Sequence, residues 1–502
     1  MLTCLKQLNV ANIKAKQDEK TYKTLGEAKQ ALIAWSVAHP NWPGVMPFPD
    51  RKESVSPNYD GKSDCVTFGL DVSHLLGKLP LLGDAPCISP QDGLGVEVYD
   101  ASGERLWYAV SMNLVRTNGS ASTPVINPGI IENPVYPWLR VLDRNGTLIS
   151  DHVAAVIIAP GSPIGSQNRS SATPSPSEFL DTFQIGTTTY SNANYDIPNE
   201  DFIIGQDSRN VTDTDTTYVK PYSFNDQLVF ITIDELITAL NYRVVAEAKS
   251  LLNQYNIKNS HYPYAANLGS ALNNHVSSGV NTKGMLPIDV TDNCSCTSAT
   301  SCSCSFSPIT SVAFTRGGGT AWTSSSGCTM SGAICTCSGA GSCSKGAKKF
   351  NCDIDGLCTH NVAGANNKYT YTVPDYADIY SFSAGCVGPV VQGNQVVCND
   401  AGTFSIGLKT TWFKTNLWQD YLYYEWSAAS NLQLGTKAGL TAILINTGDV
   451  KTNEFGWSQS RPSSDIRDYL DSIENTNNDS AFDAANKRKT NNYNDQPFVV
   501  AS

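Results

Sequence analysis

Between positions 290 and 400 the sequence places Cys294-Ser-Cys296, Cys302-Ser-Cys304, Cys328, Cys335-Thr-Cys337, Cys343, Cys352 and Cys358 in a Ser- and Gly-rich stretch. Residues i and i+2 of a strand share one face, so each Cys-x-Cys would present two thiols toward a neighbouring strand. That pattern suits cross-strand disulfides, or a zinc or copper(I) site. Histidine is scarce nearby and the surrounding composition looks exported, so disulfides are the expectation. Cys386 and Cys398 bracket "VGPVVQGNQVV" as the base of a hairpin, Cys65 and Cys87 would close an earlier loop, and Cys4 is left over. Spacing does not fix the connectivity.

Other chemistry is sparse. "NCDIDGLC" and "NYDGKSDC" gather oxygens around a glycine, which makes Asp353 and Asp355 calcium candidates. Neither stretch has the full EF-hand pattern ending in Glu, and Asp-Gly turns explain both. There is no His-Glu-x-x-His, no Gly-x-Ser-x-Gly and no phosphate-cradling loop; "TRGGGTAW" lacks the lysine and the following helix. The histidines are isolated, with His39 and His261 at similar helix ends, where an imidazole can meet free carbonyls. The expectation is a noncatalytic protein without a resident cofactor.

The chain has 502 residues, 15 of them Cys, with 16% charged residues and a net charge of -11. That length exceeds what one core usually serves. Scattered cations and an acidic balance exclude the electrostatic footprint of a nucleic-acid binder. Cysteine richness points to an oxidising compartment.

The elements that must position these residues are repeated. "GEAKQALIAWSVAHPNWPGVMPFPD" parallels "AEAKSLLNQYNIKNSHYPYAAN", and "ERLWYAVS" parallels "QDYLYYEWS". "VAAVIIAPGSPIGSQNRSSATPSPSEFLD" parallels "LTAILINTGDVKTNEFGWSQSRPSSDIRDYLD", and "FNDQLVFI" parallels "YNDQPFVV". Landmarks in the same order predict two tandem units of α+β class, residues 1–231 and 232–502, each a long helix followed by an antiparallel sheet. The helices are expected over about 10–39 and about 234–256, the second opened by a Thr232–Glu235 capping box. A disulfide-rich irregular or β insert, about 290–400, interrupts the second unit.

A helix that is polar in front and packs its rear on a sheet, then "AHPNWPGVMPFPD", an Asp-Gly loop to Cys, "LLGKLPLLG" and "GERLWYAVS", resembles the large minor pilins of the type IV pilin and pseudopilin class. The Leu-Pro feature returns as "GMLPID" in the second unit. The resemblance implies two pilin-like modules in a surface subunit, displaying an adhesive or ligand-binding face at a filament tip or cell surface. Its implied partners are other pilin subunits, pilus-assembly proteins and a host or abiotic surface, with no nucleic acid. It implies an exported chain, on a surface filament or in the periplasm, held in the membrane only through an anchor upstream of Met1. The alternatives are a type II secretion pseudopilus component, or a secreted enzyme or metal-binding protein using the cysteine segment.

Overall fold

The computed structural model describes residues 2–502 except 53–58, 67–68, 84–92, 96, 118–123, 171–173, 196–200, 206–223, 270–280, 288–293 and 478; between 299 and 410 it describes only strands. Helices and antiparallel strands are mixed, an α+β arrangement. The chain divides into two compact units, 1–243 and 244–502, with the division inside a helix. Among the described residues, no helix is long and apolar enough to cross a membrane.

In the first unit, α1 spans Leu2–Ala38, so the helix starts well before position 10. The added residues, "LTCLKQLNV", are largely apolar, and with no Gly or Pro before position 26 they continue into the polar run as one helix. Its rear buries Leu25, Ala28 and Leu32 completely or nearly so. Trp35 stays half-buried, its ring edge-on to His39 at 5.4 Å.

The sheet beneath comprises β1 (Leu76–Lys78), β2 (Trp107–Val110), β3 (Leu139–Leu142) and β4 (Leu148–Ala159), followed by β5 (Thr182–Ile185), β6 (Thr188–Ser191), β7 (Asp201–Ile203) and β8 (Gln227–Thr232). Its order is β1-β2-β4-β3-β7, with β8 on the rear half of β4; β5 and β6 form a separate hairpin. Residues 107–110 are all fully buried, which explains why "LWYAV" reads as a continuous apolar run. The Asn-Gly signal in "DRNGT" is the β3–β4 turn: Gly146 N donates to Asp143 O at 2.9 Å.

Helix α2, Ile233–Asn259, follows β8 without a loop. Thr232 Oγ1 accepts from Glu235 N at 3.2 Å. The Glu235 carboxylate, expected to reach back and complete the box, instead pairs with Lys29 at 2.7 Å. The end of α1 is another correction. His39 Nδ1 accepts from Trp42 N at 3.1 Å, so the ring acts as a neutral acceptor. The carbonyls of Val37 and His39 are met by the Arg243 guanidinium of α2. Burial, with Arg243 and Arg116 nearby, lowers the His39 pKa to about 4.

In the second unit, the rear of α2 buries Ala248 and Leu252, and Lys249 Nζ donates to Val499 O at 3.1 Å. The sheet runs Gln496–Ala501, Ala442–Asn446, Leu422–Trp426, then β9 (Lys283–Met285), all antiparallel. In the first unit β8-β4-β2-β1 is likewise antiparallel throughout. Pro497 lies on an edge strand, where its missing N–H costs no ladder bond. A core of Tyr423, Leu434, Leu440, Ile443, Ile445, Tyr469, Leu470 and Phe482 fills this unit.

Candidate functional site

The densest polar constellation inside each unit is a pair of buried aspartates on the "FLD" or "YLD" and "NDQ" words of the sequence. In the first unit Asp181 N donates to Asp226 Oδ2 at 2.8 Å. Asp181 Oδ2 in turn accepts from Asn225 N at 2.6 Å and from Asp226 N at 3.1 Å. Asp181 Oδ1 takes Gln167 Nε2 at 2.9 Å, and Asp226 Oδ2 takes Asn192 Nδ2 at 3.0 Å.

The second unit repeats the set. Asp471 N donates to Asp495 Oδ2 at 2.8 Å and Asn494 N to Asp471 Oδ2 at 2.6 Å. Gln459 Nε2 donates to Asp471 Oδ1 at 3.0 Å, and Asn475 Nδ2 to Asp495 Oδ2 at 2.7 Å.

An arginine roofs each pair. Arg169 donates to Glu178 O at 3.0 Å, Gly161 O at 2.6 Å and Phe179 O at 3.2 Å. Arg461 donates to Asp468 O at 2.6 Å, Gly448 O at 2.8 Å and Tyr469 O at 3.0 Å. The guanidiniums also lie over rings, Arg169 at 5.1 Å from Phe179 and Arg461 at 5.1 Å from Tyr469. Gly161 and Gly448 hold positive φ of 61° and 57°. A Cβ there would meet the Asn225 side chain at 2.9 Å or the Asn494 side chain at 2.3 Å. Only glycine suits both demands.

Two adjacent carboxylates suggest proton chemistry, as in aspartic proteases. Here, however, Asp181, Asp226, Asp471 and Asp495 are at most 6% exposed, and three of the four oxygens in each pair are covered by N–H donors or a buried partner. Among the described residues, Asp226 Oδ1 and Asp495 Oδ1 meet no hydrogen-bond partner. The buried pairs tie the closing strand to the loop before it. Burial and the neighbouring carboxylate push Asp226 and Asp495 well above the ordinary range.

One cluster belongs to the first unit alone. Asp50, fully buried, accepts Arg105 Nη2 at 2.8 Å and Gly61 N at 3.0 Å on one oxygen. Arg169 pairs with Glu104 at 3.0 Å. Lys78 Nζ lies 4.3 Å from the Phe179 ring centroid and 5.0 Å from that of Tyr59. The bridge that Asp50 makes to Lys78 is made in the second unit by Ala266 to Met285, where no such charges exist. The loop expected to turn at Asp60-Gly61 therefore folds around an arginine: Gly61, at φ 95°, points its N–H at Asp50.

These groups set a pH dependence. Burial raises Asp50 from 3.8 to about 6 despite Arg105, and raises Asp181 equally, to about 6. Between those values the folded chain keeps protons that the unfolded chain has lost, so this stabilisation is complete below 3.8 and gone above about 6. His39 works oppositely: its contribution is complete above 6.5 and declines as pH falls toward 4. Asp226 and Asp495, pushed upward by burial and by the neighbouring carboxylate, add to the loss as pH rises. The urea midpoint of the unaltered chain, measured relative to Asp50→Asn, should therefore drop between pH 3.8 and about pH 6. A flat or rising difference would show that Asp50 retains no proton there.

Of the cysteines, Cys65 is disulfide-bonded. Cys87, Cys386, Asp353 and Asp355 lie outside the described residues. The strand register sets Cys294 opposite Cys304 and Cys296 opposite Cys302. It also sets Cys328 opposite Cys337 and Cys352 opposite Cys358. Cys335 faces Met330, Cys343 faces Phe350 and Cys398 faces Tyr369. Among the described residues no group of three or more His, Cys, Asp or Glu is placed to hold a metal ion.

No motif in the sequence marks the aspartate pairs as a site; the available signal is an Asp kept in both copies of two repeated words, Phe-Leu-Asp/Tyr-Leu-Asp and Asn-Asp-Gln. No family model, characterised protein or solved structure matches the chain, so the fold and these constellations carry the functional reading.

Proposed function

We propose that the chain is a noncatalytic surface subunit of pilin-like build, two tandem modules of one ancestral unit, with the cysteine-rich segment of the second displayed as an adhesive or ligand-binding face. The observation carrying this reading is the recurrence, in both units, of one helix-led sheet with one polar constellation. Tyr108 Oη donates to Pro47 O at 3.2 Å and Tyr424 Oη to Pro263 O at 3.1 Å, at equivalent distances from equivalent strands. Arginine, glutamine, aspartate pair and glycine follow in the same order in each. Duplication explains such agreement more simply than convergence, because most of these residues are buried and serve only the unit around them.

A helix leading into an antiparallel sheet is what the resemblance implies for a filament subunit. The polar, exposed front of α1, where Lys16 and Lys20 face solvent, suits a helix continuing toward a neighbouring subunit. The sealed aspartates favour a structural protein over an enzyme. The test is fractionation: cells expressing the chain are sheared and the released filaments probed with antibody against it. The reading expects the chain in the filament fraction, and reduced attachment to surfaces in a strain deleted for it. Recovery only in the soluble cell interior, with attachment unchanged, would overturn it.

A further inference from the structure

We infer that the cysteine-rich segment is closed by four cross-strand disulfides, Cys294–Cys304, Cys296–Cys302, Cys328–Cys337 and Cys352–Cys358, and that the first two form adjacent rungs of one hairpin. The register is the observation. Strands Cys294–Ser298 and Ser301–Cys304 run antiparallel with those two pairs directly opposed. Strands Cys328–Ser331 and Ile334–Cys337 oppose Cys328 to Cys337. Strands Lys348–Cys352 and Cys358–Val362 oppose Cys352 to Cys358.

Distance selects among the possible pairings. Directly opposed residues of an antiparallel ladder have Cα atoms about 4.5 to 5.5 Å apart. A disulfide spans about 4.4 to 6.8 Å between Cα atoms, with Cβ atoms about 3.5 to 4.5 Å apart. Diagonal pairs such as Cys294 with Cys302 sit at about 7 to 8 Å. Neighbours such as Cys294 and Cys296 are two rises apart, about 6.4 to 6.8 Å, and strand geometry keeps their Cβ atoms nearly as far apart. Opposed Cβ atoms lie about 4.5 to 5.5 Å apart, so the opposed pairing satisfies the Cα limit and is the one that reaches the Cβ limit, at its upper edge.

Chemically, each bridge forms by thiol–disulfide exchange: two cysteine thiols lose two protons and two electrons, and an oxidising disulfide is reduced to two thiols. The short loops these bridges close gain less from chain entropy than long ones. Their effect is instead to lock register in Ser- and Gly-rich strands, whose own side chains specify register weakly. The inference requires an oxidising compartment, as expected from composition, but not assembly into a filament.

The test uses the full chain, expressed through an oxidising compartment. Single variants Cys294→Ser, Cys296→Ser, Cys328→Ser and Cys352→Ser are denatured with a thiol-alkylating reagent, and the newly modified residue is identified by mass spectrometry. One new thiol is expected in each, at Cys304, Cys302, Cys337 and Cys358 respectively. Stepwise partial reduction and differential alkylation of the unaltered chain reads the same pairs should a variant fail to fold. Labelling at any other partner overturns the connectivity. Free thiols in the unaltered chain at any of these eight cysteines, or zinc or copper released in stoichiometric amount with those thiols then becoming reactive, overturns the bridges themselves.

Discussion

Replacing Arg461 with alanine is expected to destabilise the second unit by about 3–5 kcal/mol, the range for removing one partner from a buried charged network. The guanidinium meets carbonyls of Gly448, Asp468 and Tyr469 and the Thr447 hydroxyl at 3.0 Å. Its charge also faces the Asp471–Asp495 pair. Alanine leaves those carbonyls without donors and the pair without its counter-charge. Arg461→Lys is expected to recover little, because one ammonium cannot reproduce a planar fork aimed at several carbonyls. Arg169→Ala should act likewise on the first unit, with the added loss of the Glu104 pair. The check is the urea midpoint of each variant; a shift equivalent to less than about 1 kcal/mol, typical of an exposed ion pair, would contradict this role.

The second large effect is an asymmetry. Within each pair, one aspartate has both oxygens facing donors and the other has one oxygen facing none. Asp471→Asn puts an amide NH2 against either Gln459 Nε2 or the Asn494 N–H. Gln459 cannot turn round to compensate, since its own oxygen accepts from Lys451 N at 3.1 Å. The expected cost is about 3 kcal/mol, that of a lost charge-assisted bond plus a buried donor left unsatisfied.

Asp495→Asn differs. Its carbonyl oxygen can keep the bonds from Asp471 N and Asn475 Nδ2, and its amide can occupy the unpartnered Oδ1 position. The cost should be smaller than that of Asp471→Asn, because no donor is set against the new amide NH2. Asp181→Asn and Asp226→Asn should divide in the same way. Combining Asp226→Asn with Asp495→Asn should also lessen the loss of stability with rising pH, since two carboxyls that hold their protons more tightly in the folded chain are gone. Equal costs for both members of a pair would mean that they share charge symmetrically.

Much of this fold was legible because repeated words carry repeated structure. "FNDQLVFI" and "YNDQPFVV" lie on the last strands of the two sheets, and "ERLWYAVS" and "QDYLYYEWS" on central ones. What the sequence did not yield is pairing at a distance. Asp226 and its partner Asp181 sit in different repeated words with a long stretch between them, so neither word alone points to the other. Helix α1 begins before position 10 because the apolar "LTCLKQLNV" runs into the polar stretch with no Gly, Pro or cap to mark a boundary. The Asp50–Arg105 contact has no counterpart in the second unit, so repetition could not draw attention to it. His39 and His261 were credited with capping for their matching positions, yet the carbonyls at the end of α1 are met by Arg243, a residue far along the chain. In the cysteine segment, residue types announced stapling, but register is a property of the folded backbone.

The order of strands bears on how the chain is made. The rear half of β4, from Val153 to Ala159, is completely or almost completely buried, and one side of it pairs only with β8. A growing polypeptide that has laid down β2, β3 and β4 thus exposes an apolar, unpaired edge until residues 160–226 and β8 have emerged. Strand Ala442–Asn446 waits similarly for Gln496–Ala501. Such an edge invites wrong partners, including the matching strand of the sister unit, whose sequence is alike. The aspartate pair joins the intervening loop to the arriving strand and latches it once docked; because both units carry the same Asn-Asp word, closeness along the chain, not the latch, is what favours the proper strand.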